Sequence, residues 1–483
     1  MWRVFISLYL FKFLKVIVYF TSWTLYKPCR IPAQPTITKN DVTVIIPTVG
    51  DLDDEFVECI SSILATCPVQ IILVTIDSKI AHARDVCNTI DPKKIIVLSA
   101  GARGHKRVQI MHGVQRVQTK ITVLADDHVF WPQTFLQSAL APFEEGGVGI
   151  VGTVKRVRRI KGQFGFSNFI NYIACLYLER HNFECTASSN IDGCVFVISG
   201  RTVLLRTTVI KDPDFAQEYL NEYWLWGLVG PLHSDDDNFI TRWMVNKGWK
   251  TIFHNDPGAL METSLGTYGG WKKFRGQLDR WARTSWRSNS TTLFVDRTVW
   301  KTQLWSAYAV HFSAFVNLAF FYDGALFCTL YHAEIPGWVP SVLGNKVSLF
   351  VLLGASLFLS KLIKSLPYLC RNPRDIVYLP FGIMFGYWHS WVKLWALLTC
   401  WDISWGTRPG VDGPMPPTNI FQLPYRTSMP GKILSLARVA VIALLKGSFI
   451  TQLVDFFWKE RLNDFDNWCQ IKNEKQREER RTR

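Results

Sequence analysis

Four short runs of mostly β-branched residues constrain this chain most: VTVIIP (42–47), IILVTI (71–76), IIVLS (95–99) and ITVLA (121–125). Each is bounded by polar residues or turns, and helix-like amphipathic stretches near 53–65, 79–90 and 106–118 lie between them. Such alternation predicts βαβ units, that is, a mostly parallel sheet with helices on both faces. Sheets of this kind bind ligands outside the carboxyl ends of their strands, so chemistry is to be sought there.

The first run ends in Pro47-Thr48 and the second is followed by Asp77. After the third, GARGHKRVQIM sets Lys106 and Arg107 at the start of a helix, and the fourth ends in Ala125-Asp126-Asp127-His128. Carboxylates coordinate hard cations, and cations and helix N-termini hold phosphate. Acids and cations at successive strand ends therefore suit a nucleotide diphosphate held with a divalent metal. Singly, each reads as a solvated loop charge; their coincidence makes the case. VGIVGTVKRVRR (148–159) is a strand running into a basic stretch, and Lys155 to Arg159 face either a diphosphate or anionic polymer, or solvent. HSDDDNFITRWMVNKGW (233–249) adds an acidic cluster, with Ser234 or Asp235 as a helix cap and the acids complementing the helix dipole. Clustered acids repel, which raises the pKa of one toward the range of a general base.

On either side the chain is apolar. Residues 4–26 are long enough to span a bilayer. Lys12 and Lys15, on one helical face, either meet other helices or snorkel. Lys27 and Arg30, among Pro28, Pro32 and Pro35, form a basic linker that puts the next domain in the cytosol. Residues 304–331 and 347–366 read as two crossings. Residues 376–400, with Pro380, Gly382 and Gly386, read as a broken, re-entrant or in-plane segment. Residues 432–457 carry Arg438 and Lys446 and are amphipathic or a poor span; the tail KNEKQREERRTR is solvated. A net charge of +15 beside 48% hydrophobic residues and 20 Trp favours an anionic membrane surface over nucleic acid. Eleven Cys, an odd number without a CxxC pair, read as reduced thiols.

Between the soluble and apolar parts lies Gln277-Leu278-Asp279-Arg280-Trp281. A Gln-x-x-Arg-Trp motif at such a junction resembles that of the membrane-bound family 2 glycosyltransferases that make hyaluronan, chitin and cellulose. IIPT, VTIDSK, GHKRVQIM and LADDHVFWP resemble their nucleotide-sugar domain in order and spacing. The resemblance implies an α/β GT-A domain, a Rossmann-like mixed sheet, fused to transmembrane and interfacial helices. It implies that Thr48, Asp77, Lys106, Arg107, Asp126, Gln277 and Arg280 bind the nucleotide sugar. The family usually carries Asp-x-Asp followed by Pro; counting back from Pro132 puts Asp127 on the metal-binding second Asp. Ala125 stands in place of the first, so either Asp126 takes over or His128 is an extra ligand to Mg²⁺ or Mn²⁺. SNIDGCVFVISGRTVLLR resembles the acceptor side of the pocket, with Ser199, Gly200 and Arg206. Aligning Thr241 with the family's Thr puts Asp236 and Asp237 on its acidic pair, with Asp237 the expected base and Asp236 second. Trp281 walls the acceptor sugar, and Trp405-Gly406-Thr407-Arg408 resembles a gating loop that closes over the nucleotide.

The domains implied are a transmembrane helix (1–27), a linker (28–40), a cytosolic catalytic domain (41–265), interfacial helices (266–300) and transmembrane or interfacial helices (301–400). A gating loop (401–431), an amphipathic or transmembrane helix (432–462) and a basic tail (463–483) follow. The activity implied is an inverting, processive hexosyltransferase in the plasma membrane. It polymerises a UDP-sugar onto a growing glycan and passes the glycan outward, with membrane lipids but no nucleic acid as partners. The single amino-terminal span looks most like the fungal type 2 glycosyltransferases, whose roles are at the cell surface and in hyphal growth. Two rivals remain: a non-processive lipid transferase similar to ceramide glucosyltransferase, and a transporter or scaffold whose transferase domain is dead, as Ala125 suggests.

Overall fold

The computed structural model describes residues 1–404, apart from 161, 163, 268–269 and 341–344. The expected gating loop Trp405–Arg408 and the segments 432–462 and 463–483 lie outside the described residues.

An apolar helix, α1 (Trp2–Leu25), precedes four strands: β1 (Val42–Pro47), β2 (Gln70–Thr75), β3 (Ile95–Ser99) and β4 (Ile121–Ala125). These pair in parallel in the order β3-β2-β1-β4. Strand side chains alternate between faces. Val42, Val44, Ile46, Ile71 and Leu73 thus enter one core, while Ile45, Ile72, Val74 and Leu124 enter the other. With both faces apolar, helices cover both: α2 (Asp54–Leu64) and α3 (Ile80–Ile90) on one, α4 (Lys106–Arg116) on the other. Asp53 caps α2, its carboxylate accepting from the Phe56 N–H at 3.1 Å.

Six further strands follow: β5 (Val129–Phe130), β6 (Val148–Thr153), β7 (Lys155–Val157), β8 (Thr202–Arg206), β9 (Lys250–His254) and β10 (Met261–Thr263). The large sheet has the order β3-β2-β1-β4-β8-β6-β9, with β8 antiparallel to both β4 and β6. It is therefore mixed, the Rossmann-like sheet of a GT-A domain. A small sheet, β5-β10-β7, lies beyond the end of β4.

The long helices are α5 (Phe166–Asp192), α6 (Asp236–Asn246), α7 (Gly270–Ser290), α8 (Ala319–Tyr331), α9 (Lys346–Arg371) and α10 (Leu379–Leu398). Among the described residues two single helices, α1 and α9, are long and apolar enough to cross a membrane. The expected crossing at 304–331 consists of two pieces, Leu304–Val316 and α8, bent by 84°, the geometry of a broken span or a re-entrant loop. Of the forms expected for residues 376–400, the broken one is excluded, because α10 is continuous. Pro380 falls in its first turn, where no N–H is lost. Gly382 serves close approach: a Cβ there would lie 3.1 Å from the Tyr172 ring.

Candidate active site

Residues at or on six elements gather around one cavity of about 1180 Å³ at the carboxyl edge of the large sheet. Thr48 follows β1, and Asp126, Asp127 and His128 follow β4. Lys106 opens α4, Gly200 and Arg201 lead into β8, Asp236 and Asp237 open α6, and Gln277, Arg280 and Trp281 lie on α7. All but Thr48 line the cavity, so Asp127, Asp237 and Arg280 share one space despite their separation in the chain. Thr48 is buried just behind it and donates its hydroxyl to Asp127. Gly50 leaves room there, since a Cβ would sit 3.0 Å from that carboxylate.

Lys106 is the hub. Its ammonium lies 2.9 Å from Asp126 and 3.1 Å from Asp236. Burial works against its charge, but the two carboxylates reverse the effect and hold its pKa above the ordinary lysine value. Asp126 gains in turn: burial raises its pKa, yet Lys106 brings it below the usual carboxylate range. Asp237 goes the other way. Burial and the neighbouring Asp236 charge push its pKa up, against Lys106 and the N–H groups of Gly200 (3.2 Å) and Asn238 (2.9 Å). A carboxylate so raised can take a proton, as the acidic cluster led one to expect. Gly200 lets these groups close up, because a Cβ there would be 3.3 Å from Asp236 Oδ2 and 3.4 Å from Lys106 Nζ.

Arg280 is within electrostatic reach of Asp236, Asp235, Asp237 and Asp126, and burial lowers its pKa. The Trp281 ring stacks on Tyr177 with centroids 5.1 Å apart and takes the Arg201 guanidinium at 5.5 Å. This fixes a flat aromatic wall.

Several expected site residues are used elsewhere. Arg107 is fully buried, bonded to the Tyr219 carbonyl and to Glu222, both at 2.6 Å, and does not reach the cavity. Asp77 is exposed after β2, where Ser99 bonds to it, and lies outside the lining. Arg206 binds the carbonyls of Val148, Phe143 and Glu145. The basic run lies outside the cavity lining and is held by partners of its own: Lys155 is buried against His181 at 3.1 Å, Arg158 pairs at the surface with Glu58 at 2.8 Å, and Arg159 pairs with Asp375 at 2.7 Å. Asp235 occupies the cap position of α6 but caps nothing; its carboxylate is held by Arg287 at 2.8 Å and by Thr284. Burial alone would raise the Asp235 pKa, but Arg287 and Thr284 bring it well below the usual range.

Sequence reasoning passed over Arg201 and the α5 residues Tyr177, Arg180 and Glu184, all of which line the cavity. Arg201 had a signal, since it adjoins Gly200 in SGR; α5 had none of the motifs sought.

Asp127 is the carboxylate that could hold a divalent metal. One of its oxygens takes the Thr48 hydroxyl and the other meets His128 Nδ1 at 2.8 Å. Among the described residues no three His, Cys, Asp or Glu side chains form a cage for an ion. The donor set therefore suits an ion held by one or two carboxylates and completed by substrate phosphate oxygens, a mode Mg²⁺ accepts.

Residues 39–284 match the family described as Glycosyltransferase like family 2. The chain is 38% identical over 410 residues to a type 2 glycosyltransferase of Pyricularia oryzae, covering 84% of this chain and 82% of that one. It is 37% identical to a type 2 glycosyltransferase of Gibberella zeae, covering 84% and 76%. Among solved structures, the mannosyltransferase PcManGT of Pyrobaculum calidifontis, in complex with GDP-Man and Mn²⁺, superposes with a TM-score of 0.50 at 16% identity, covering 80% of this chain and 98% of that one. That likeness is one of fold. With the mixed sheet, the acids at its carboxyl edge and relatives along most of its length, the chain belongs to glycosyltransferase family 2, and it is a glycosyltransferase.

Proposed function

We propose that this enzyme transfers a sugar from a UDP-sugar onto a growing glycan with inversion, processively, and passes the product outward between its helices. The observation that carries the reading is the single cavity. It reaches from Asp127, Asp237 and Arg280 to Lys12, Lys361 and Lys393 on helices of the apolar half. The catalytic domain faces the cytosol, where the basic linker at Lys27 and Arg30 sets it. The glycan is destined for the cell surface.

In this reading Asp237 accepts the proton of the acceptor hydroxyl as that oxygen bonds to the anomeric carbon and the nucleoside diphosphate leaves. Asp236 supports it by keeping the Asp237 pKa high. Arg280 and Arg201 offset the negative charge gathering on the departing diphosphate. Trp281, braced by Tyr177, supports the acceptor sugar on its face. Asp127, with His128 or Asp126, holds Mg²⁺ or Mn²⁺, whose chemistry when bound is to neutralise the diphosphate.

The test is incubation of the purified full-length protein with each labelled UDP-sugar, and with GDP-mannose, followed by sizing of the product. A polymer made from a UDP-sugar is expected. A glycolipid carrying one sugar would replace the polymer with lipid glycosylation, the second reading, which the cavity's extension between the apolar helices favours. Equal release of nucleoside diphosphate by the wild type and by Asp237→Asn would remove the assigned base.

A further inference from the structure

The cavity that holds the catalytic acids has a second set of walls. Lys12 and Lys15 of α1, Arg180 and Glu184 of α5, Lys361 and Lys364 of α9 and Lys393 of α10 all line it. None comes from the sheet, and among the described residues α1 and α9 are the two single helices suited to cross a membrane. Asp323 of α8 pairs with Lys12 and, at 3.5 Å, with Lys361; Glu184 pairs with Lys364 at 2.8 Å. Among the described residues, Lys15, Arg180 and Lys393 have no carboxylate at ion-pair distance, and Arg180 Nε is buried without a hydrogen-bond partner. Yet all three lie within electrostatic reach of Glu184. Six cations thus crowd around two carboxylates.

Charges removed from water and left without partners are costly, and like charges held together repel. An anion in the chamber would relieve both. The residue types indicate which anion. The planar fork of arginine matches carboxylate and phosphate alike, and lysines act as point charges with three donors each that serve phosphate well; five of the six here are Lys. A phosphate monoester carries about −1.5 to −2 charges at neutral pH, which answers the surplus better than one carboxylate does. Because candidate spans form two of the walls, the rest of the ligand is apolar.

We infer that this basic chamber binds the phosphate head of a membrane amphiphile, in the same cavity as the catalytic acids. Its role as acceptor or primer rests on the transferase reading; the binding does not.

Binding is measured by native mass spectrometry on the full-length protein in detergent, with four probes: farnesyl phosphate, farnesol, inorganic phosphate and a glucuronic-acid-containing oligosaccharide. Farnesyl phosphate is expected to bind at least tenfold more tightly than farnesol or inorganic phosphate. Lys15→Gln combined with Lys393→Gln should remove that preference, and Lys393→Arg should keep it. Equal binding of farnesol and its phosphate by the wild type, which requires no substitution, would overturn the inference. So would a folded double variant that keeps the preference. Displacement of farnesyl phosphate by the oligosaccharide would assign the chamber to an acidic glycan and end the lipid assignment. Release of nucleoside diphosphate is scored separately: phosphate binding without it would count against the transferase reading alone.

Discussion

Asp235, Asp236 and Asp237 are consecutive, yet each meets a different partner: Arg287, Lys106, and the N–H groups of Gly200 and Asn238. Their roles follow from those partners. Asp237→Asn removes the proposed proton acceptor, and kcat should fall on the order of 10²–10⁴-fold, as steady-state release of nucleoside diphosphate would read. The pH profile adds a second check. Burial and Asp236 raise the Asp237 pKa, and a general base works only when deprotonated, so the acidic limb of kcat/KM lies above the ordinary carboxylate range. In Asp236→Asn a neighbouring negative charge is gone, and the limb should move to lower pH. Asp235→Asn should act on stability instead, because it strands a buried guanidinium at a cost of about 3–5 kcal/mol, seen in a lowered Tm. The folded-state pKa of Asp235 is depressed. Its contribution is therefore complete above the unfolded carboxylate pKa of about 3.9 and is lost as the pH falls below it.

At the scale of elements, α4 shows how closely the site rests on packing. A Cβ at Gly113 would lie 2.7 Å from Ile45 Cγ2 on β1, inside a filled core. Gly113→Ala gains helix propensity of up to about 1 kcal/mol but overpacks at a cost of about 1–3 kcal/mol. A net loss on the order of 1 kcal/mol is expected in denaturant unfolding of the protein. The first four strands and the first three helices of the domain were legible because those strands are short β-branched runs, apolar on both faces, and the helices carry their apolar residues along one face. The site was legible only in part. Lys106 and Arg107 are adjacent, and adjacent residues on a helix of 3.6 residues per turn point about 100° apart; Lys106 faces the acids, so Arg107 turns into the core. Periodicity gives such directions only once the sheet position is known. Helix α5 escaped notice because its polar residues meet partners distant in sequence, such as Lys364 for Glu184 and Arg371 for Glu179. The bend between Leu304–Val316 and α8 falls at Asn317-Leu318, within a continuous apolar run that carries no proline.

For the whole molecule, α1 and α9 are candidate membrane spans, while the large sheet and its helices form an ordinary α/β body. The full chain should stay in the membrane pellet after an alkaline wash that strips peripheral proteins, and its appearance in the supernatant would count against insertion. One of the points that pin the two halves together lies on α7. Arg287, on α7, grips Asp235 and at the same time donates to the carbonyls of Cys400 (2.9 Å) and Asp402 (3.2 Å), just past the end of α10. Trp286 binds the Lys393 carbonyl at 2.8 Å on the same helix. Asp235 stands two residues from the proposed base, so a thicker or thinner bilayer that tilts α10 would tug the catalytic carboxylates out of alignment. Turnover in nanodiscs of graded acyl-chain length should then pass through a maximum, with the enzyme acting as a gauge of the lipid around it.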